Sequence, residues 1–548
     1  MNLLDANLAA LPHTLARAIE AAAPRPDEVV VAARDGSRVN GLARPRRPAL
    51  FHSGYAPLRE AERLADTAGD AGFVVVLGMG ACHHIRAIAA RGRRVLVVEP
   101  DLRLVRSAFT RDDLTGLLRS RSVALADPSN LGHDVSTRYC APVDGDLAVV
   151  ELPGRVSAEP DAFDPYRRAL GRIAERLRTD LAVQARFGLR WMRNTILNIP
   201  AAHARTLPSW SGEVHVAAAG PSLADALPHL AADASTPLLA VDTALPVMLA
   251  HRVRPDLVVS IDCQAATYQH YLTAGFPDVP VAAELSMLPS LFAGLSARHP
   301  VRSDHPLHTL IGALGLDAPY LDARGGNVTQ AAVDLAVRLG ARRIRVFGAD
   351  FSYPDGETYP RGSYLHRLFT ASSSRLAPLA GRHYGFLLDR PGVRRDRDEP
   401  ARWVQPLLSA YAERFADFAG GLSVGVTRVR GRGAPLDVRA PATAPERPGG
   451  GAVHEAAGGR APAAPPRTVL ERLRETMRAV SVRSRFTQTL ESPEGESLES
   501  ALAARALLPA LTHLRADGEA VSFDELLERA HERLNSYVCA ALERCEDE

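Results

Sequence analysis

The sequence contains no lysine: all 65 of its basic residues are arginine. Walker-type phosphate loops, protein-kinase sites and Schiff-base enzymes each depend on a lysine amine, and arginine does not readily lose its proton to replace it. Those enzyme classes are therefore excluded. Cysteine is scarce too. Cys82, Cys140, Cys263, Cys539 and Cys545 are scattered, odd in number and form no CxxC pair, so neither a disulfide framework nor a zinc knuckle is expected, and a reducing compartment fits. The chain opens without a basic-then-apolar leader and has no run of about eighteen apolar residues, which predicts a cytoplasmic protein with no membrane span. Net charge is only +2, with both signs interspersed. Nucleic acid is not an expected partner, because backbone phosphates demand a concentrated basic surface.

At 548 residues the chain exceeds what one hydrophobic core organises, so several domains are expected. Short strands around residues 29–33 and 48–55 lead into a helix from about Leu58 to Thr67. FVVVLGMGACHHIRAIAARGRRVLVVEPD then reads as strand, Gly78-Met79-Gly80 turn, helix and second strand ending at Glu99. That is one βαβ unit of a parallel sheet and makes residues 1–160 a Rossmann-like domain. Helical spacing of apolar residues from Pro165 to Ile199 predicts a connector over 161–204. Strands at EVHVAAAG, PLLAVD, DLVVSID, VPVAAE and RIRVFGAD predict a doubly wound α/β domain over 205–430. Residues 441–466, rich in Pro, Gly and Ala, read as a linker, and 467–548 as a helical C-terminal module.

Four segments carry chemistry. In VHVAAAGPSLADAL an apolar strand runs into Gly220, Pro221 and Ser222 and a helix begins at once. Exposed amides at such a helix start suit a phosphate, though Ser222 as an ordinary cap fits equally well. Gly325-Gly326-Asn327 offers a second loop of this kind, with Asn327 as anion contact or N-cap. Asp242, Asp262 and Asp350 sit at strand ends, where open α/β sheets bind ligands, and could bind a ribose, hold a divalent ion such as Mg2+ or act as a base. His366 could be a base or a phosphate contact, with Arg361 and Arg367 nearby; a packed or surface histidine is the plainer reading. The Gly78–Gly80 turn and Glu99 form a possible second cofactor site of the methyltransferase type, or a structural Rossmann-like unit that lacks the third glycine. No histidine has metal-ligand spacing.

AAAGPSL, the AVDTAL and RPDLVVSID pair and GGNVTQAAVDLAVRLGARRIRVFGADFSY together resemble the central domain of the motility accessory factor (Maf) family, which shares it with 6-hydroxymethylpterin diphosphokinases of the MptE-like type. HSGYAPLREAERL, VVVLGMGACHH and RFGLRWMRNTILNIP resemble its N-terminal region. The resemblance implies a sialyltransferase-like glycosyltransferase that moves a pseudaminic- or legionaminic-type nonulosonic acid from a CMP-linked donor to Ser or Thr of flagellin. The Gly220 and Gly326 loops would then lie around the nucleotide, and Asp242, Asp262, Asp350 and His366 would be the candidate bases. Thr358 stands where the family pattern has a histidine, and Asn327 where serine is more usual. The alternatives are pyrophosphoryl transfer from ATP to a pterin alcohol, with the three acids on a metal ion, and a non-catalytic flagellin-binding assembly factor.

Overall fold

The computed structural model describes residues 2–119, 122–203, 205–323, 325–436, 463–482, 486, 498–517 and 522–545. The chain divides into two compact units, one built mainly from residues 1–188 and the other mainly from 189–481. The linker expected at 441–466 lies, up to residue 462, outside the described residues. Among the described residues no helix is long and apolar enough to cross a membrane.

After two helices, Leu3–Leu8 and His13–Ala21, the first unit forms an antiparallel sheet of β1 (Glu28–Ala32), β2 (Arg38–Leu42) and β3 (Ala49–Leu50), followed by α1 (Pro57–Asp66). Its main sheet consists of β4 (Phe73–Leu77), β5 (Arg94–Val98), β6 (Val123–Leu125) and β7 (Leu147–Glu151), in the order β6-β5-β4-β7 with every neighbour parallel. Every residue of β4 is buried, as expected of a parallel strand covered on both faces. α2 (His83–Ala90) and α3 (Leu102–Arg111) pack on this sheet through Ile85, Ile88, Val105 and Phe109. The Rossmann-like expectation holds. A 39-residue helix, α4 (Pro160–Asn198), leads onward.

The second unit is organised by seven strands: β8 (Gly212–Ala217), β9 (Leu238–Val241), β10 (Leu257–Ser260), β11 (Val281–Glu284), β12 (Arg298–Val301), β13 (Ala341–Phe347) and β17 (Gly425–Arg428). Their order is β12-β11-β10-β9-β8-β13-β17, parallel throughout. α5 (Leu223–Ala232), α6 (Ala265–Ala274) and α7 (Val328–Arg338) connect them. The next four strands, β9 to β12, run to one side of β8 and the last two to the other. The order therefore reverses between β8 and β13, where open α/β sheets leave a crevice at the carboxyl ends of their strands.

Beyond β13 a small antiparallel sheet of β14 (Tyr353–Pro354), β15 (Arg394–Arg395) and β16 (Arg402–Val404) frames a helical hairpin, α8 (Tyr364–Ala371) and α9 (Leu379–Leu388), before α10 (Pro406–Gly420) returns to β17. C-terminal to them are α11 (Pro466–Arg478), α12 (Leu498–Asp517) and α13 (Phe523–Arg544). These are helical as expected, but they form no third unit. Residues 482, 486 and 508–527 belong to the first unit, and the rest of the described tail to the second. At one close approach in the first unit, a Cβ on Gly188 of α4 would lie 1.8 Å from the Pro509 carbonyl oxygen of α12.

Candidate functional site

The crevice between β8 and β13 opens into a cavity of about 320 Å³ lined by Gly220, Thr243, Asn327, Tyr353, Arg390 and Tyr411, among others. The loop after β13 enters it under strain: Phe351 has φ +46° and Asp355 φ +55°, left-handed values that non-glycine residues adopt where the surrounding structure imposes them. Tyr353 Oη donates to Gln405 Oε1 at 2.7 Å, which fixes one wall. Tyr359 also lines the cavity, and burial pushes its hydroxyl up to about 12, so it is a neutral donor there.

Two lining side chains each hold one buried polar atom without a partner, although the Arg390 guanidinium also lies 4.4 Å over the Phe386 ring. Thr358 Oγ1 and Arg390 Nε are buried without a hydrogen-bond partner, and such groups carry a desolvation penalty that a ligand relieves. Arg390 is the one cation among the described residues lining the cavity. The start of α7 lines the same cavity. Asn327 caps the helix through Oδ1, accepting from Gln330 N at 2.9 Å, and Val328 and Thr329 line the cavity. First-turn amides have no intrahelical acceptor and favour negative charge.

The Gly220 loop departs from expectation. Gly220 N donates to the Gly348 carbonyl at 2.8 Å and Ser222 N to Asp350 Oδ2 at 2.8 Å, and Pro221 has no amide hydrogen. The expected phosphate cradle is already filled by an internal carboxylate. Ser222 makes no side-chain cap; its Oγ instead accepts from Arg432 N at 2.8 Å. Gly220 still borders the cavity, so its role is to permit close packing: a Cβ there would sit 2.4 Å from Gly348 O and 2.5 Å from Asp350 Oδ2. Gly325 and Gly326 do not line the cavity. Gly326 holds φ +72° and Gly325 lies against the Gln330 side chain, so both shape the turn that presents Asn327.

The three strand-end acids are individually engaged. Asp242 Oδ1 accepts from Thr243 N and Oγ1, and its Oδ2 from Ser260 Oγ at 2.5 Å. Asp262 accepts from the Gln264 amide and side chain. Asp350 holds Ser222 and faces Arg428 at 3.9 Å. With these oxygens committed to the chain's own donors, the acids do not fit a shared Mg2+ site, and no step is derived through one. Burial, with Asp242's charge adding to it, raises Asp262. His366 lies on α8 with its ring 5.8 Å from His383 and does not line the cavity.

Sequence reasoning missed His270. It is buried on α6, its Nε2 lies 3.3 Å from Thr243 Oγ1 on the cavity wall, and its Nδ1 has no hydrogen-bond partner. Burial lowers its pKa against the opposing charges of Asp242 and Asp262, keeping it neutral at physiological pH. Tyr411, Gln405 and Arg390 were missed as well, because they come from segments after the last recognised strand; the only local signal was the DRPG turn around Arg390.

The N-terminal turn is closed. Glu99 is fully buried, takes two bonds from Arg155 at 2.7 and 3.2 Å, and accepts the Met79 amide at 3.1 Å. Cβ atoms on Gly78 and Gly80 would meet Arg155, Leu152 and His52. Arg155 thus occupies the β4/β7 switch point where a ribose would lie, and the structural alternative for this turn is the one the geometry supports.

Residues 193–356 match the family described as 6-hydroxymethylpterin diphosphokinase MptE-like, so the central sheet carries an MptE-like domain. The whole chain shares the fold of the Maf glycosyltransferase from Magnetospirillum magneticum AMB-1, at a TM-score of 0.56 and 14% identity, covering 99% of this chain and 96% of that one. The Maf-type architecture expected from the sequence is thereby found. Three uncharacterized proteins of Treponema pallidum (strain Nichols) are also similar. They are 30% identical over 19% of this chain, 32% over 24% and 28% over 31%, spanning 37%, 37% and 85% of their own lengths. The matches thus cover little more than a third of the first two relatives.

Proposed function

We propose that the chain is a glycosyltransferase that moves a nonulosonic acid of the pseudaminic or legionaminic type from a CMP-linked donor to Ser or Thr of flagellin, in the cytoplasm and in support of flagellar assembly and motility. The observation that carries this reading is the switch-point cavity, whose lining combines Arg390, with its buried Nε unsatisfied, the N-terminal turn of α7 and three tyrosines. That combination suits a nucleotide monophosphate bearing a carboxylated sugar. The Maf glycosyltransferase fold and the MptE-like domain support it.

In such a transfer the acceptor hydroxyl oxygen attacks the anomeric carbon, CMP departs with the bonding electron pair, and the hydroxyl proton passes to a base. Arg390 neutralises charge on the departing phosphate. His270, neutral and 3.3 Å from Thr243 Oγ1, takes the proton through that cavity-lining hydroxyl, with Asp242 and Asp262 favouring its protonated form once the proton arrives.

The first test is thermal denaturation of the full chain with CMP, with ATP plus Mg2+ and with S-adenosylmethionine, since a ligand of the native state raises its melting temperature. A CMP shift is expected. A shift with ATP and Mg2+ in its place would transfer the reading to pyrophosphoryl transfer, and the plugged N-terminal turn predicts no response to S-adenosylmethionine. Arg390→Ala should weaken CMP by about 10- to 100-fold, the value of a charge-assisted hydrogen bond. His270→Asn should leave CMP affinity intact and lower kcat by roughly 100-fold or more. Because His270 must be neutral to accept a proton and burial lowers its pKa, wild-type activity should fall only at pH below the ordinary histidine value of about 6.5, and that acid limb should vanish in His270→Asn. Retention of the limb would remove His270 from the role.

A further inference from the structure

The hairpin of α8 and α9 begins and ends on the cavity wall. Tyr359 precedes it and Arg390 follows it, and both line the cavity. It is anchored by Tyr364, whose ring lies 4.9 Å from that of His270, and by Tyr384, which packs against the Gly356 turn and lies 6.2 Å from Trp403. Phe369 and Phe386 hold the two helices together with ring centroids 5.5 Å apart.

The outer surface of this hairpin differs from the rest of the chain in two ways. Leu368, Leu376, Tyr384 and Leu388 are exposed, Leu376 to 91%, and clustered exposed apolar side chains mark contact surfaces. Charge is also concentrated here. Between Tyr364 and Leu388 there are three arginines, Arg367, Arg375 and Arg382, and no acid, a net +3 in a chain whose total is +2. None of the three makes an ion pair among the described residues. Evenly mixed charge, the expectation from composition, is thus broken on this hairpin, beside the cavity.

Resting on the transferase reading, we infer that the α8–α9 hairpin is the docking surface for the acceptor protein and takes a face of that protein with an apolar centre and an acidic rim. Arginine and tyrosine are enriched in binding hot spots, exposed leucines beside them extend the apolar contact, and opposite charge around them steers the encounter. Position favours a protein over a lipid surface: an acceptor seated on the hairpin brings its hydroxyl to the cavity that Arg390 closes, whereas a bilayer there would cover the entrance.

The test measures binding of the full chain to purified flagellin monomer and, separately, to phosphatidylcholine vesicles containing phosphatidylglycerol. The wild type is compared with the triple variant Arg375→Glu, Leu376→Ser, Arg382→Glu and with the charge-preserving pair Arg375→Lys, Arg382→Lys. All three positions are exposed and outside the cavity, so the CMP thermal shift should persist in both and certify folding. Flagellin binding by the wild type should weaken with salt, fall at least about tenfold in the triple variant and persist in the lysine pair. Equal flagellin binding by the triple variant would overturn the docking surface and leave the transferase standing. Binding of the wild type to vesicles alone, or to neither probe, would overturn it too. Loss of the CMP shift in the wild type itself would instead strike the transferase reading.

Discussion

Arg155→Ala is expected to destabilise the first unit by roughly 3–5 kcal/mol, the cost of leaving a buried charge without its partner. Arg155 and Glu99 are both fully buried. The guanidinium gives Glu99 two hydrogen bonds, reaches Glu159 at 2.9 Å, and lies over the rings of Phe51 and Phe163 at 5.2 and 4.9 Å. Truncation removes all of these at once and strands the Glu99 carboxylate at the end of β5. Urea unfolding followed by circular dichroism reads the result, and a loss below about 1 kcal/mol would mean that water reaches Glu99. The double replacement Arg155→Met, Glu99→Leu should recover much of the stability, because a well-packed apolar pair often matches a buried ion pair. This comparison separates a structural plug from a vacant cofactor site.

Gly220→Asp should abolish the CMP shift, with affinity down by about 100-fold or more, and lower the stability of the second unit by about 1–3 kcal/mol through overpacking. The new side chain would collide with Gly348 O and Asp350 Oδ2 and set two carboxylates against each other where Asp350 now holds Ser222. Gly220→Ala isolates the steric part, and the difference between the two variants reports the charge. Undiminished CMP affinity at an unchanged melting temperature in Gly220→Asp would show that the switch-point crevice is not where the nucleotide binds.

The strands were legible because buried parallel strands are continuous apolar runs: FVVVL and VLVV in the first unit, and LLAV and LVVS in the second, coincide with β4, β5, β9 and β10. β12 and β17 were not, because RHPV and GVTR carry half-exposed edge positions with no apolar run. The hairpin escaped for a related reason. Its two helices are short, and each sets an exposed leucine, Leu368 or Leu388, beside a buried one, Leu365 or Leu387. In the site, sequence placed Gly220, Asn327 and Asp350 near one another through the logic of strand ends. It could not show that Asp350 would occupy the amide of Ser222, since that contact joins residues 128 positions apart. Nor could it show Arg390 and Tyr411, which reach the cavity only through the excursion after β13.

The division of the C-terminal helices has a consequence for the order of events during synthesis. Leu511, Leu526 and Leu527 are buried parts of the first unit, while Leu507, Leu534 and Val538 are buried parts of the second. Chains usually fold from the N-terminus as each domain leaves the ribosome. Here neither unit has its full core until residues beyond 500 have been translated, so both remain partly open to chaperones until that segment has emerged.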